Sequence, residues 1–206
     1  MNNSLLKVGI CGLILAFSLS VAAQTSTFTD SRDGQKYRTV KIGKQTWMAE
    51  NLNFKTGNSW CYENQESNCQ KYGRLYNLAT AFIACPTGWH LPNDDDWNSL
   101  TKAVGGKRVE DDCGCEYEYV ACYYWDIAGG NLKSKTNWNG TTDQFGFSAL
   151  PGGARIDNGN FDLIGQYAYW WGANNTRSIG PTKNIVREDG FFFDDNYGFS
   201  VRCVKE

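Results

Sequence analysis

The chain has 206 residues, with 20 Lys+Arg against 22 Asp+Glu and no basic block, so it lacks the concentrated cationic footprint that nucleic-acid binding draws on. Hydrophobic residues make up 41% and aromatics 15% of the chain, which excludes disorder. The single histidine, His90, excludes sites built from several imidazoles.

Residues 1–23 read as a secretory leader, with Lys7 in a positive n-region, an apolar run from Val8 to Leu19, and small residues at Val21-Ala22-Ala23 before cleavage after Ala23. No later segment is apolar enough over a sufficient length to span a bilayer. The expected product is therefore residues 24–206, a single domain outside the cell or on its surface, not membrane-spanning after leader removal. In that oxidising compartment the remaining cysteines default to disulfides. Cys61 and Cys69 enclose a short polar loop that makes a local bridge easy. Bridging Cys85 to Cys203 would close a loop of most of the domain, and one pair is expected among Cys113, Cys115 and Cys122. The cysteine left over from that cluster is free or links two chains into an oligomer. Three clustered thiolates could also hold zinc, but no fourth ligand is suitably spaced.

In chain order, Tyr37 to Asn53 alternates apolar and polar residues around a Gly43-Lys44 turn and predicts a β-hairpin. Tyr72 to Ala84 places Leu75, Leu78, Ala79, Phe82 and Ile83 at helical spacing, predicting a helix that stops at Cys85-Pro86. A second helix is predicted from Asn93 as N-cap, through Asp94, Asp95 and Asp96 in the first turn, to a stop at Gly105-Gly106. Capping explains that acidic triplet more simply than calcium ligation or paired catalytic carboxylates.

Past Gly140 no helical period remains. Phe145 to Ala154 and Asn160 to Ile164 flank an Asp157-Asn158-Gly159 turn, and Tyr167 to Trp171 reads as a buried strand. Asn184 to Arg187 and Phe191 to Phe193 flank a second turn at Glu188-Asp189-Gly190, and Tyr197 to Val204 is the last strand. Two early helices followed by an irregular antiparallel region make the fold class α+β.

The stretches TDSRDGQKYRTVKIGKQTWMAENLNF (29–54), CYENQESNCQKYGRLYNLATA (61–81), ACPTGWHLPNDDDWNSL (84–100), TDQFGFSALPGGAR (142–155), YWWGA (169–173) and YGFSVRCVKE (197–206) together resemble the Fibrobacter succinogenes major paralogous domain. GWHLPNDDDW followed later by GFSVRC is also similar to a pattern of the formylglycine-generating-enzyme superfamily. That likeness implies a C-type-lectin-like, formylglycine-generating-enzyme-like fold with two helices and long loops, in which a Cys85 to Cys203 bridge ties the approach to the second helix to the last strand. The sequence departs from the family over about 107–126, where EDDCGCEYEYVACYYW reads as an inserted, stapled surface flap.

The superfamily's enzymes work through a cysteine pair shortly before the terminal strand or through a three-His iron site. Between Trp171 and Tyr197 there is no cysteine, and one histidine cannot make a triad. His90 reads as a structural hydrogen-bonding residue, and no nucleophile elbow or phosphate loop is present. The expectation is a non-catalytic module, without catalytic residues, that binds an extracellular polysaccharide or a surface protein. A structural or adhesion piece of a surface assembly is the alternative, and a divergent enzyme is a third.

Lectin-like folds recognise ligands on long loops, where aromatics stack on sugar rings and polar side chains bond the hydroxyls. The loop candidates are Trp138 and Asn139, the turn from Arg155 to Asn160, and Asn174 to Arg177. Trp47, Trp89, Trp97, Trp170 and Trp171 read most simply as core. Strand alternation nevertheless sets Trp170 and Trp171 on opposite faces, one buried and one open to a ligand, which keeps Trp171 among the candidates. Asp194, Asp195 and Asn196 form a partial oxygen cluster of the kind calcium uses, although the sugar-binding triplets of true C-type lectins are absent.

Overall fold

A computed structural model describes residues 24–111, 122–139, 141–189 and 196–205. The expected leader over 1–23 lies outside the described residues, as do Cys113, Cys115, the side chain of Cys122, Phe191 to Phe193, Asp194 and Asp195.

The chain opens with β1 (Gln24–Thr29), β2 (Lys36–Ile42), β3 (Gln45–Met48) and β4 (Ser59–Trp60). Then come α1 (Glu66–Tyr72), β5 (Leu75–Tyr76), α2 (Leu78–Ala84), β6 (Trp89–His90) and α3 (Asp94–Ala103). They are followed by β7 (Arg108–Asp111), β8 (Cys122–Trp125), α4 (Ala128–Leu132), β9 (Gly152–Arg155) and β10 (Phe161–Ile164). The last elements are β11 (Ala168–Trp170), β12 (Thr176–Ile179), β13 (Val186–Asp189), β14 (Phe199–Ser200) and β15 (Val204–Lys205).

One sheet has the order β1-β2-β3-β15-β6, so the C-terminal strand lies between the opening hairpin and the strand that precedes α3. In the second sheet the order is β4-β5-β14-β11-β12-β13-β8-β7, with the β9–β10 hairpin joined through β11. Pairing is antiparallel except where β11 runs parallel to β9 and β14. The fold is mixed α and β with antiparallel sheets, as the element pattern predicted, but the described residues hold four short α-helices where two were expected.

Several predicted boundaries are corrected. The helix expected over Tyr72 to Ala84 is split. Gly73, at φ 79, ends α1, and Leu75 and Tyr76 are drawn into the ladder against Ser200 and Phe199. The Asn77 side chain then accepts from the Thr80 N–H at 3.0 Å and starts a new helix. The polar loop expected between Cys61 and Cys69 contains the first turn of α1. At the other end, Glu188 and Asp189 are not a turn. They continue β13, pairing with Arg177 and Thr176, because a neighbouring strand on each side outweighs the local turn preference. The long strand expected over Phe145 to Ala154 is regular only from Gly152, and the one over Tyr197 to Val204 is broken into β14 and β15, which serve different sheets.

The α3 prediction is borne out in detail. The Asn93 side chain accepts from the Asp96 N–H at 3.0 Å, and the Asp96 carboxylate accepts from the Asn93 N–H, a complete capping box. Trp97 and Leu100 face inward from it. Both expected disulfides, Cys61–Cys69 and Cys85–Cys203, are present.

Two apolar clusters lie on opposite faces of the sheets. One gathers Val40, Trp47, Trp97, Trp125, Phe147 and Trp170, and the other Tyr37, Met48, Tyr76, Trp89, Trp171 and Phe199. The residues of each strand alternate between them, so Trp47 enters the first and Met48 the second. For the same reason Trp170 and Trp171 are both 0% exposed, and the expectation of one solvent-facing ring is overturned: both faces of this sheet are covered.

The base of the insertion is not a separate flap. Its arms β7 and β8 pair with each other, and β8 adds to β13. Glu188 bonds them together, accepting from Arg108 Nε and Nη2 at 3.0 and 2.7 Å and from Trp125 Nε1 at 2.7 Å. Burial opposes ionisation of Glu188, but the Arg108 bonds, the field of Arg177 and the indole N–H outweigh it, and the carboxyl sits below its usual pKa. A depressed folded-state pKa adds stability that is present above the unfolded-state value, about 4.3, and is lost as pH falls through the folded one. Glu188→Gln is therefore expected to lower the neutral-pH unfolding free energy by about 1–3 kcal/mol and to flatten its acid limb. Urea titrations of both proteins across the acid range check this, and parallel curves would refute it.

Candidate functional site

Between β2 and α1, an open cleft of about 560 Å3 is lined by the start of β2, the segment after β3, the end of α1, Thr136, Asn137 and Leu150. That volume lies within the roughly 300–1,000 Å3 of small-ligand sites. Its wall depends on Gly73. A Cβ there would lie 2.7 Å from Asn51 Cβ and 2.9 Å from the Asn51 carbonyl, so α1 can end against this segment only with glycine. The Arg74 N–H then donates to the Leu52 carbonyl at 2.9 Å, and the Cys61–Cys69 bridge ties α1 to the segment that precedes it.

The floor is Asn51, tied below the cleft surface. Its Nδ2 donates to the Tyr72 carbonyl at 2.8 Å and to Ser200 Oγ at 3.2 Å. Its Oδ1 accepts from Trp170 Nε1 at 2.9 Å and from Arg202 Nε and Nη2 at 3.0 and 2.7 Å. Arg202 is fully buried and has no carboxylate partner among the described residues. It also donates to the carbonyls of Phe147 and Met48, and its guanidinium lies 4.5 Å over the Phe147 ring. Burial pulls its pKa down to about 9, so it stays protonated at neutral pH.

The lining is polar. Tyr37, whose phenol burial pushes its pKa up to about 12, accepts from the Asn53 N–H at 3.0 Å. Among the described residues the buried Asn53 Oδ1 has no hydrogen-bond partner. Arg38 is bound to Glu50 through its Nε at 3.1 Å and its backbone N–H at 2.8 Å. Lys71 Nζ lies 4.7 Å over the Tyr72 ring. Lys36 and Lys71 take part in no ion pair among the described residues. Gln35, Gln70 and Asn137 add amides at the rim.

The residues singled out from sequence are placed as follows. Trp138 is 8% exposed, donating its indole N–H to the Ala149 carbonyl at 2.8 Å beneath Lys133, so it offers no open ring face. Asn139, two residues beyond the cleft-lining Asn137, is exposed. Arg155 lies 4.2 Å over the Trp60 ring and donates to the Asn196 carbonyl at 2.9 Å. Trp171 is buried and donates to the Tyr76 carbonyl at 2.6 Å, and Asn174 is exposed. Arg177 is buried and bonded to Asp94 at 2.9 Å. Trp138, Trp171 and Arg177 are corrected from loop ligands to core residues, because all three are buried and their indole N–H groups and the two Arg177 Nη atoms are bonded within the fold. Of the expected calcium cluster only Asn196 is described, and its carbonyl is turned to Arg155.

Sequence reasoning missed Lys36, Arg38, Glu50, Asn53 and Lys71. The available signal was the Trp47 to Phe54 motif, whose polar Glu50, Asn51 and Asn53 exceed what a hairpin arm needs. His90 Nε2 lies 3.0 Å from Asp96 Oδ2, the oxygen that completes the α3 cap. Among the described residues Cys61, Glu66 and Cys69 form one group of potential metal ligands, but the two sulfurs are bonded to each other. No helix of the described residues is long and apolar enough to cross a membrane.

Fold and site together define a disulfide-stapled α+β domain with a polar cleft set beside a buried asparagine–arginine hub. The model of the Fibrobacter succinogenes major domain matches residues 40–205, and the chain belongs to that family. Comparison with curated proteins and with solved structures finds no match.

Proposed function

We propose that the chain is a non-catalytic binding module, secreted or held at the cell surface, whose cleft takes an extracellular polysaccharide. The observation that carries this reading is the cleft's lining of amides, hydroxyls and ammonium groups around the half-buried Tyr72 ring, the mix of polar donors and aromatic face that sugars use. The two disulfides fit an oxidising compartment. The pairing of the opening hairpin with the C-terminal strand, and the irregular region between the helices and that strand, fit a C-type-lectin-like, formylglycine-generating-enzyme-like architecture. Against catalysis stand the lack of a cysteine between Trp171 and Tyr197 and the use of His90 in the α3 cap.

A second reading, a structural component of a surface assembly, is favoured by α2, where Phe82 and Ile83 are 52% and 77% exposed. Glycan-array and insoluble-polysaccharide retention of the chain starting at Gln24 tests the first reading. Retention lost in Asn53→Leu supports the cleft. No retention on any glycan, together with a disulfide-linked oligomer on non-reducing gels, would replace the first reading with the second.

A further inference from the structure

We infer that the cleft takes an anionic saccharide, a sugar unit carrying a carboxylate or sulfate, with the acid group held between Lys36 and Lys71; this rests on the binding-module reading above. The chain as a whole carries a formal charge of −2, yet this cleft gathers Lys36, Arg38 and Lys71 against Glu50 alone. Glu50 is already committed to Arg38, by a side-chain and a backbone bond, which leaves the two lysines uncompensated.

The Lys71 ammonium stands over the Tyr72 ring, so a cation and an aromatic face are presented together to one sugar unit. The C-terminal end of α1 contributes a partial negative charge of about half a unit at most, less than either ammonium. The amides of Gln35, Gln70 and Asn137 line the same cleft and supply neutral donors and acceptors for sugar hydroxyls. The cleft thus sets two cations beside neutral amides, matching the acid group and the hydroxyls that a uronic acid or sulfated sugar carries together.

The experiment is isothermal titration of the Gln24–Glu206 chain, disulfides intact, with oligogalacturonate, a chondroitin sulfate oligosaccharide, and neutral cello- and xylo-oligosaccharides at low ionic strength. The comparison proteins are Lys36→Gln/Lys71→Gln and, as a charge-matched control at the far hairpin turn, Lys44→Gln. Both cleft lysines are exposed, so the double variant is expected to keep its thermal midpoint. The expected result is binding of at least one acidic oligosaccharide, weakened about tenfold in the double variant, unchanged in Lys44→Gln, and reduced by added salt. The carboxylate and sulfate arms separate the two acid classes. Acidic and neutral oligosaccharides bound equally, or acidic binding untouched by the double variant, would overturn the inference and leave the binding-module reading standing. No binding of any arm by the folded chain would overturn that reading too.

Discussion

Asn51→Ala is expected to lower the unfolding free energy by about 3–5 kcal/mol. The reason is what the substitution strands. Arg202 is fully buried, and its only side-chain acceptor among the described residues is Asn51 Oδ1, which takes both Nε and Nη2 and also the Trp170 indole N–H. Without it a buried cation keeps only the Phe147 and Met48 carbonyls, while the Tyr72 carbonyl and Ser200 hydroxyl lose their donor. Arg202→Met is expected to cost less than Asn51→Ala, since removing the charge removes its desolvation penalty and an unbranched side chain fills the space between Phe147 and Trp170. Urea unfolding of both variants and of the double variant checks this. A loss below about 1 kcal/mol in Asn51→Ala, or a larger one in Arg202→Met, would show that the hub is not organised around the amide.

Removing the Cys85–Cys203 bridge by paired serine substitution is expected to cost about 5 kcal/mol, against roughly half that for Cys61–Cys69. The difference follows from the separations, 118 residues against 8, because cross-linking distant positions removes more freedom from the unfolded chain. The long bridge joins the end of α2 to the segment between β14 and β15, the crossing by which the C-terminus passes from one sheet to the other. Its loss is expected to bring global unfolding forward, whereas loss of the short bridge loosens α1 and the cleft wall first. Hydrogen exchange separates the two outcomes, and equal destabilisation by both pairs of substitutions would contradict the loop-length account.

Local chemistry was readable in advance wherever a residue's partner lies close in sequence. The Asn93 N-cap, the Gly43-Lys44 hairpin and the Asp157-Asn158-Gly159 turn need neighbours three or four positions away, and the structure has all three. The prediction failed at Leu75 and Tyr76, whose helical spacing was genuine but whose backbone is claimed by β14, more than a hundred residues further on. It failed again at Glu188, whose neighbours resemble a turn yet whose carboxylate is fixed by Arg108 from the insertion. Long-range pairing overrode short-range preference in both cases.

The candidate site divides the same way. Trp171, Arg177 and Trp138 are polar or aromatic residues at loop and strand ends, features shared by a recognition surface and a polar core, and only burial distinguishes the two. The cleft cations Lys36, Arg38 and Lys71 come from a strand and a helix that nothing in their spacing connects. They meet because Gly73 lets α1 close against the segment that carries Asn51.

The sequence by itself determined the family, the α+β class, the two disulfides and the α3 cap, because each is written in residues that contact near neighbours or recur as a motif. Only the tertiary structure decided that the paired tryptophans are both core and that Arg202 and Asn51 are one unit. The tertiary structure also placed the cations around one cleft, since strand pairing and the packing of both sheet faces set burial and bring together side chains far apart along the chain.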